Sequence, residues 1–227
     1  MISKYVITSL LVTSFISNVM GQIANVQGMD NVVLRIKKYD DIKGSPYLYP
    51  AWNSGTLTDR NGKVYSNLLL KYDTYKDLVE LNQEGQVMEV SAMNYPKFTL
   101  MFIEPGSNKV INHSFSTGYG FEGFSKTSYF DILLEGRITL LKKYKSSFIE
   151  NNVSDYGTSD SQKSFQSKIV YFVISEGAGS KEIKPNKKSV MDVFSEHSSR
   201  IEVFLNNKKK IKSEDDLIEI IRFLDEK

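Results

Sequence analysis

Residues 45–103 carry the clearest β pattern of the chain, and they begin with the aromatic cluster SPYLYPAW at residues 45–52. The most regular part is KVYSNLLLKY at residues 63–72, where apolar and polar side chains alternate. The apolar positions are Val64, Leu68, Leu70 and Tyr72, and the polar positions are Lys63, Asn67 and Lys71. Side chains two residues apart on a strand share a face, so this pattern predicts a strand with one buried face.

Turn residues separate this strand from its neighbours. The sequence Asp59-Arg60-Asn61-Gly62 joins it to residues 55–58, and an Asn-Gly pair accommodates the positive φ angles of a hairpin turn. Residues 82–86 separate the apolar runs 78–81 and 87–90 in the same way, and a further apolar run at residues 98–103 ends before Pro105-Gly106. We therefore expect an antiparallel meander.

The next part of the chain predicts more strands and one loop. Residues 129–134 and 137–141 alternate around Glu135-Gly136, which predicts another hairpin. Residues 150–164 are rich in Asn, Ser, Asp, Gly and Thr, which is typical of a surface loop. The β-branched and aromatic run at residues 169–174 predicts a strand at the centre of a sheet, buried on both faces.

Helices are predicted after residue 181, because apolar residues then recur at three-and-four spacing. Ser213, followed by three acidic residues, predicts the N-cap of a final helix. The predicted class is α+β and mainly β: an antiparallel curved sheet or open barrel with two or three C-terminal helices. The expected organisation is a signal peptide at 1–21, an antiparallel β domain at 22–180, and a helical segment at 181–227 packed on it.

The N-terminus predicts export. Lys4 precedes an apolar, hydroxyl-rich run at residues 6–17, which has the length of a signal-peptide core, and Val19-Met20-Gly21 predicts cleavage after Gly21. The alternative is a buried N-terminal strand or helix. We expect an exported protein, periplasmic or at the cell surface or outside the cell, with no transmembrane segment in the mature chain.

Net charge and the absence of cysteine limit the kinds of binding partner and of catalytic or metal site that we expect. With 29 Lys+Arg against 27 Asp+Glu the formal net charge is +2, so bulk charge favours neither nucleic acid nor an anionic membrane. The chain has no cysteine, which excludes disulfides, thiolate nucleophiles and Cys-ligated metals. We expect no nucleic-acid partner and no cofactor.

Five short motifs resemble an uncharacterised family of exported bacterial proteins of similar length. They are GSPYL at 44–48, Trp52 with Gly55, LKY at 70–72, LEG at 134–136 and KKS at 187–189. The resemblance implies export from a Gram-negative cell. The family has no established activity, so it implies no functional residues.

Catalytic motifs are absent from the sequence, and the two histidines, His113 and His197, are expected in ordinary surface or capping roles. GYGFEG at residues 118–123 matches a dinucleotide fingerprint, but β structure on both sides favours a plain glycine loop. Asp59-x-Asn61-Gly62 matches only part of a calcium loop, and the hairpin interpretation is favoured.

Carboxylates offer the one enzymatic alternative, because a carbohydrate-active hydrolase works through a carboxylate pair. The candidates are Glu122, Asp131 and Glu135. Asp131 and Glu135 are an even number of residues apart, so they lie on the same face of their predicted strand and turn, and we expect both to face water.

The aromatic cluster contains the candidate binding residues Tyr47, Tyr49 and Trp52. One interpretation is that these side chains pack into one end of the β core. The alternative is that they lie on the surface of the sheet, where they stack on sugars or anchor a partner protein. The predicted function is a non-catalytic binding or envelope-associated structural module, with an unknown macromolecular partner in the cell envelope.

Overall fold

The structure is a computed structural model that describes Tyr39 and residues 42–155, 158–176, 179–207 and 210–226. For residues 151–155 and 158–161 and for residue 207 only the backbone is described. The predicted signal peptide at 1–21 therefore lies outside the described residues.

The strands form one antiparallel sheet. They are β1 (Asn53–Thr58), β2 (Val64–Asp73), β3 (Leu78–Gln83), β4 (Gln86–Val90), β5 (Lys97–Ile103), β6 (Val110–Ser116), β7 (Phe130–Leu134), β8 (Ile138–Asp155), β9 (Thr158–Ser175) and β10 (Gly179–Ile183). Within the described residues the sheet is 10-stranded, in the order β10-β9-β8-β7-β6-β5-β1-β2-β3-β4, and it is not closed. The predicted mainly-β class and the antiparallel sheet are confirmed.

The helices follow the last strand. They are α1 (Lys187–Val193), a 3₁₀ turn (Ser195–His197), α2 (Ser198–Asn207) and α3 (Glu214–Asp225). Ser213 caps α3 as predicted: its side chain accepts a hydrogen bond from the Asp216 amide, and the Asp216 carboxylate accepts one from the Ser213 amide at 3.1 Å. No helix in the described part of the chain is long and apolar enough to cross a membrane.

The first half of the sheet curves around an aromatic core. Tyr72 of β2 lies 5.4 Å from the ring of Phe98 on β5 and 5.0 Å from that of Phe115 on β6, measured between centroids. Curvature also brings the end of β2 to β8, where the Ser146 amide donates to the Thr74 carbonyl at 3.1 Å. The concave face of this half is therefore filled by side chains rather than open.

The helices cover the same face of the second half. Ile138, Leu140 and Val173 of the sheet share a buried cluster with Val190, Ile201, Leu217, Ile220 and Ile221 of the helices. Asp225, at the end of α3, accepts a hydrogen bond from the Ile138 amide at 2.7 Å. The helical segment is thus fastened to the start of β8 as well as packed on the sheet.

Three strand predictions are wrong. Residues 150–164, predicted as a loop, belong to the long hairpin of β8 and β9, whose backbones pair from Ile138↔Ser175 to Asp155↔Thr158. Polar composition does not prevent pairing, because the ladder uses backbone groups alone. The run at 169–174 lies in β9, which is second from the edge rather than central, and β10 extends the sheet to Ile183, beyond the predicted start of the helical segment.

The predicted face of β2 holds only in part. Leu68, Leu70 and Tyr72 are buried, whereas Val64 is 55% exposed. A register shift between β1 and β2 lies at Gly55/Leu57, and Asn67 has a φ of 59°. This irregularity interrupts the alternation, so Val64 does not continue the buried row.

Candidate functional site

Residues 45–52, which we call the aromatic strap, cross the end of β2. The Leu48 amide donates to the Tyr72 carbonyl at 2.9 Å, and the Thr74 amide donates to the Pro46 carbonyl at 2.8 Å. Tyr47 forms an antiparallel bridge with Asp73. The strap is therefore held by backbone hydrogen bonds, and its three predicted binding residues are half-buried in defined positions.

Tyr47 and Trp52 lie on either side of one cation. The Lys71 ammonium is 5.0 Å from the Tyr47 ring centroid and 4.8 Å from that of Trp52. Lys71 points away from the core, because its neighbours Leu70 and Tyr72 are buried on the opposite face of β2. These contacts place both aromatic rings on the outer face of the sheet, and cation–π attraction holds Lys71 between them.

The Tyr47 hydroxyl is fixed by Glu80 of β3. It donates to the Glu80 carboxylate, with its oxygen 3.2 Å from Oε1 and 3.1 Å from Oε2. Burial and the Glu80 carboxylate raise the pKa of Tyr47 well above its usual value. Tyr47 therefore stays protonated and bonded to Glu80, and its ring forms a rigid side of the Lys71 contact.

Exposed aliphatic side chains continue the outer face beside Trp52. Leu69 on β2 and Met101 on β5 both pair with Ser54 of β1, so the three side chains form one row across the sheet. Ile103 and Val110 pair with each other on β5 and β6. The exposed fractions are 46% for Leu69, 41% for Met101, 54% for Ile103 and 48% for Val110. We call Trp52 and these four residues the apolar strip.

Tyr49 lies apart from the other two aromatic residues. Its ring stacks on Phe102 with a centroid distance of 3.8 Å and an interplanar angle of 6°. Its hydroxyl oxygen is 2.6 Å from Nε2 of His113. Phe102 pairs with Ile111 two residues from the Leu100↔His113 pair, so this contact is on the inner face. The structure thus divides the predicted set: Tyr47 and Trp52 flank Lys71, and Tyr49 contacts His113.

His113 and Asp131 form a buried pair. Nδ1 of His113 is 2.6 Å from Oδ2 of Asp131, and the two side chains are 7% and 3% exposed. A carboxylate only accepts, so Nδ1 donates to Asp131, and Nε2 shares a hydrogen bond with the Tyr49 hydroxyl. Burial, and then the Asp131 charge, raise the pKa of Tyr49 to about 12, which keeps the phenol protonated. Both ring nitrogens are occupied.

Two predictions about this pair are wrong. His113 was expected in a surface or capping role, and Asp131 was expected to face water, yet both are buried. Asp131 also accepts from the Ser114 amide at 3.1 Å and lies 3.4 Å from the Tyr144 hydroxyl. These donors compensate for its burial. The prediction assumed that Asp131 and Glu135 share one face of the strand. A register shift at Ile132/Leu134 breaks the alternation between them, so Asp131 is buried and Glu135 is exposed to water as predicted.

A buried ion pair between Lys143 and Asp77 was missed from the sequence. The Lys143 ammonium is 2.6 Å from Oδ1 of Asp77 and donates to the Tyr129 carbonyl at 2.8 Å and to the Tyr72 hydroxyl at 3.1 Å. Burial lowers the pKa of Lys143, and the Asp77 charge opposes that shift. Lys143 is one of three lysines at positions 142, 143 and 145 of β8, and nothing in the sequence pattern distinguished it or identified Asp77 as its partner.

The remaining candidate residues from the sequence lie apart from one another and do not form a common site. Glu122 and Glu135 are exposed, and residues 118–123 lie in the loop between antiparallel β6 and β7, not between a parallel strand and a helix. Asp59 accepts from the Asn61 and Lys63 amides at 2.8 and 2.9 Å, which closes the β1–β2 hairpin. Among the described residues, no group of three or more His, Asp or Glu side chains has a metal-holding arrangement.

His197 lies at a different place, in an open cleft of about 380 Å³ between the sheet and the helices. Arg137 and Lys181 line it from the sheet, and Arg200 lines it from α2. Arg200 donates to the Phe223 and Glu226 carbonyls at 2.6 and 2.9 Å, so it caps α3. The cleft also contains Glu176, Glu196 and Glu226, and this mixture of charges favours no ligand class.

Comparison of the chain with protein-family models, with curated proteins and with solved structures finds no match. The candidate site is therefore interpreted from its own geometry, and the resemblance to exported bacterial proteins stays a prediction.

Proposed function

We propose that this protein is an exported, non-catalytic binding module that holds a macromolecule of the cell envelope on the outer face around Trp52. The observation that carries this proposal is the Tyr47–Lys71–Trp52 cluster, which continues into the apolar strip. Contiguous exposed apolar side chains beside a fixed aromatic residue are typical of an interaction surface. The periplasm or the cell surface is the proposed location.

The Tyr49–His113–Asp131 contacts support binding rather than catalysis. A general base and the group that it activates must be within reach of a substrate. Here the His113 and Asp131 side chains are only 7% and 3% exposed, and the Asp131 oxygens accept from His113 and Ser114, so little of either group is open to a substrate. No buried side-chain polar atom of the described residues lacks a partner. These contacts stabilise the strap that presents Trp52.

The hydrolase alternative has less support. A carboxylate pair would need two free carboxyl groups separated by about 5 to 10 Å across a cleft. Of the three candidates, Asp131 is buried and fully bonded, whereas Glu122 and Glu135 are exposed on separate loops.

The test is capture of partners from envelope extract by the immobilised chain, quantified by mass spectrometry. Trp52→Ala should reduce the enriched species at least about tenfold, the usual effect of losing a central aromatic contact. Met93→Ser is the matched control, because Met93 is 61% exposed and is not part of the outer face described above. Equal capture by wild type and Trp52→Ala, or turnover of a glycan panel by the wild type, would contradict the proposal.

A further inference from the structure

We infer that the open edge of β9 is a docking site for an extended segment, and that residues 32–36 of this chain occupy it as an added strand. The edge lies apart from the face around Trp52, so the inference does not depend on the proposed function. It follows from the free backbone groups on the edge, from the cleft beside it and from the place at which the described chain begins.

The edge is open because β10 is much shorter than β9. β10 ends at Ile183, which pairs with Tyr171 of β9, and Pro185 follows two residues later. Proline has no N–H group, so it cannot continue the ladder, and the chain turns into α1. Between Phe165 and Tyr171 this edge of β9 has no paired strand among the described residues.

The backbone groups that face outward on this edge can be assigned by alternation. The Lys43 amide donates to the Lys163 carbonyl, and the Phe165 amide donates to the Lys43 carbonyl, both at 2.9 Å. Alternate residues direct their N–H and C=O groups to the same edge, so Ser167 and Ile169 present two donors and two acceptors there. Both residues are exposed, and no described residue forms a backbone hydrogen bond with them on this edge. Such a row of groups selects an extended peptide backbone.

A cleft of about 280 Å³ lies beside the same edge. Its apolar lining includes Ile169, Tyr171, Ile183 and Pro185. Ile169 is 46% exposed, whereas Ile183 is buried, so the apolar surface continues from the core to the edge. An added strand with apolar side chains on one face would cover this lining.

Residues 32–36 have the sequence Val-Val-Leu-Arg-Ile, the most apolar five-residue stretch between the predicted cleavage site and the aromatic strap. They lie outside the described residues. In an added strand Val32, Leu34 and Ile36 would share one face, because side chains two residues apart do so. That face matches the apolar lining of the cleft.

The described chain begins beside this edge. The Tyr39 ring is 5.2 Å from the Phe165 ring, measured between centroids. The Ile42 amide donates to the Tyr39 carbonyl at 3.2 Å, which is the hydrogen bond of a reverse turn. Lys43, after this turn, bridges Ser164 in parallel. The chain that enters the turn therefore approaches antiparallel to β9, which is the direction that β8 and β10 have beside it.

The tether favours this segment over a separate partner. Ile36 is three residues from Tyr39, which is about 10 Å of extended chain. The open part of β9 starts at Phe165, next to Tyr39, so the segment is long enough to reach Ser167 and Ile169. A tethered strand has an effective concentration in the millimolar range, which exceeds that of most partner chains.

The test is amide hydrogen exchange at Ser167 and Ile169 in the purified exported chain. We expect both amides to exchange at least about tenfold more slowly than an exposed backbone amide, because the added strand would accept their hydrogens. The Val173 amide, which lies in the part of β9 paired with β10, reports on the fold in the same spectrum.

Proline substitutions show whether residues 32–36 provide the protection. Val33→Pro combined with Leu34→Pro removes two neighbouring N–H groups, one of which would face β9 in either register. This variant should lose the protection of Ser167 and Ile169 and keep that of Val173. Gln27→Pro combined with Gly28→Pro is the matched control and should leave all three amides unchanged.

Introduced cysteines identify the occupant, because the chain has none of its own. Ile169→Cys is combined in turn with Leu34→Cys and with Arg35→Cys, since one of these two residues shares a face with residue 169 in either register. We expect one of the two pairs to form a disulfide within a monomer under mild oxidation. Met93→Cys with the same two partners is the control, because Met93 is exposed elsewhere on the molecule.

Three results would overturn the inference: rapid exchange of the Ser167 and Ile169 amides in the unsubstituted chain, protection that survives the double proline substitution, or disulfides that form only between two chains. The last result would identify a second copy as the occupant. If the proline variant does not fold, exchange in the unsubstituted chain and the cysteine pairs decide. Capture that depends on Trp52 is unaffected by these outcomes, so the proposed function is tested separately.

Discussion

Tyr49 and His113 are joined by a 2.6 Å hydrogen bond between the phenol oxygen and Nε2. The bond connects the aromatic strap to β6, 64 residues further along the chain. Asp131 on β7 holds the other ring nitrogen, so three separate segments meet at one imidazole. His113 therefore positions the strap on the sheet, and the strap presents Trp52 on the opposite face.

Removing the Tyr49 hydroxyl should destabilise the fold. Tyr49→Phe keeps the ring on Phe102 and leaves the buried Nε2 of His113 without its hydrogen-bond partner, at a cost of about 1–2 kcal/mol in the free energy of unfolding. Urea denaturation measures this difference. Tyr75→Phe, the same change at a ring that is 46% exposed, should have almost no effect. Equal stability of Tyr49→Phe and wild type would show that this bond does not hold the strap.

Alkaline pH should loosen the same contact. The pKa of Tyr49 is raised to about 12 from an ordinary value of 10.0, so the folded state holds this proton more tightly than the unfolded chain. Its contribution to stability is complete below pH 10 and is lost as the pH rises toward 12. Unfolding midpoints measured across this range should fall less steeply for Tyr49→Phe than for wild type. Parallel curves would exclude Tyr49 as a contributor.

Substitution of Asp77 should destabilise the fold more than substitution of its partner Lys143. Asp77→Ala leaves a buried ammonium unpaired and should cost on the order of 3–5 kcal/mol. Lys143→Met should cost less, on the order of 1–2 kcal/mol, because the partly exposed Asp77 side chain can be hydrated. Thermal unfolding of both variants compares them directly. A larger loss for Lys143→Met would mean that packing, not charge, dominates this site.

Gly55 should not tolerate a side chain. A Cβ at this position would overlap the Thr99 carbonyl oxygen on β5, and the backbone cannot move without breaking the pairing of β1 with β5. We expect Gly55→Ala to destabilise the protein by about 1–3 kcal/mol or more, as overpacking does. Gly120→Ala is the matched control, since nothing lies within 4 Å of its Cβ position. Comparable soluble yields and melting temperatures for the two variants would contradict this packing.

Periodicity predicted the parts of the fold in which one face is buried continuously. Leu68 to Tyr72 alternate as expected, and the α3 stripe of Leu217, Ile220, Ile221 and Leu224 is buried behind the predicted Ser213 cap. In these elements local pattern and tertiary packing agree, so the sequence alone was sufficient.

The sequence could not predict elements whose structure depends on distant partners. The long β8–β9 hairpin pairs through backbone groups that polar composition does not reveal. Asp131 pairs with Phe115 of β6 and is buried because His113 and the Ser114 amide donate to its carboxylate. The register shift at Ile132/Leu134 means that Asp131 and Glu135 do not share one face of the sheet. The aromatic strap was identified as a cluster, but its division between two faces depends on Lys71 and His113, which are far from it in sequence.

The most direct test of the central claim measures partner affinity and thermal stability for Trp52→Ala and Tyr49→Phe side by side, using a species captured from envelope extract by the wild-type chain. We expect Trp52→Ala to lose affinity at least about tenfold with little change in melting temperature, and Tyr49→Phe to melt earlier while binding normally below its transition. Normal binding by Trp52→Ala together with loss of binding by folded Tyr49→Phe would contradict this account and place the function at His113 and Asp131.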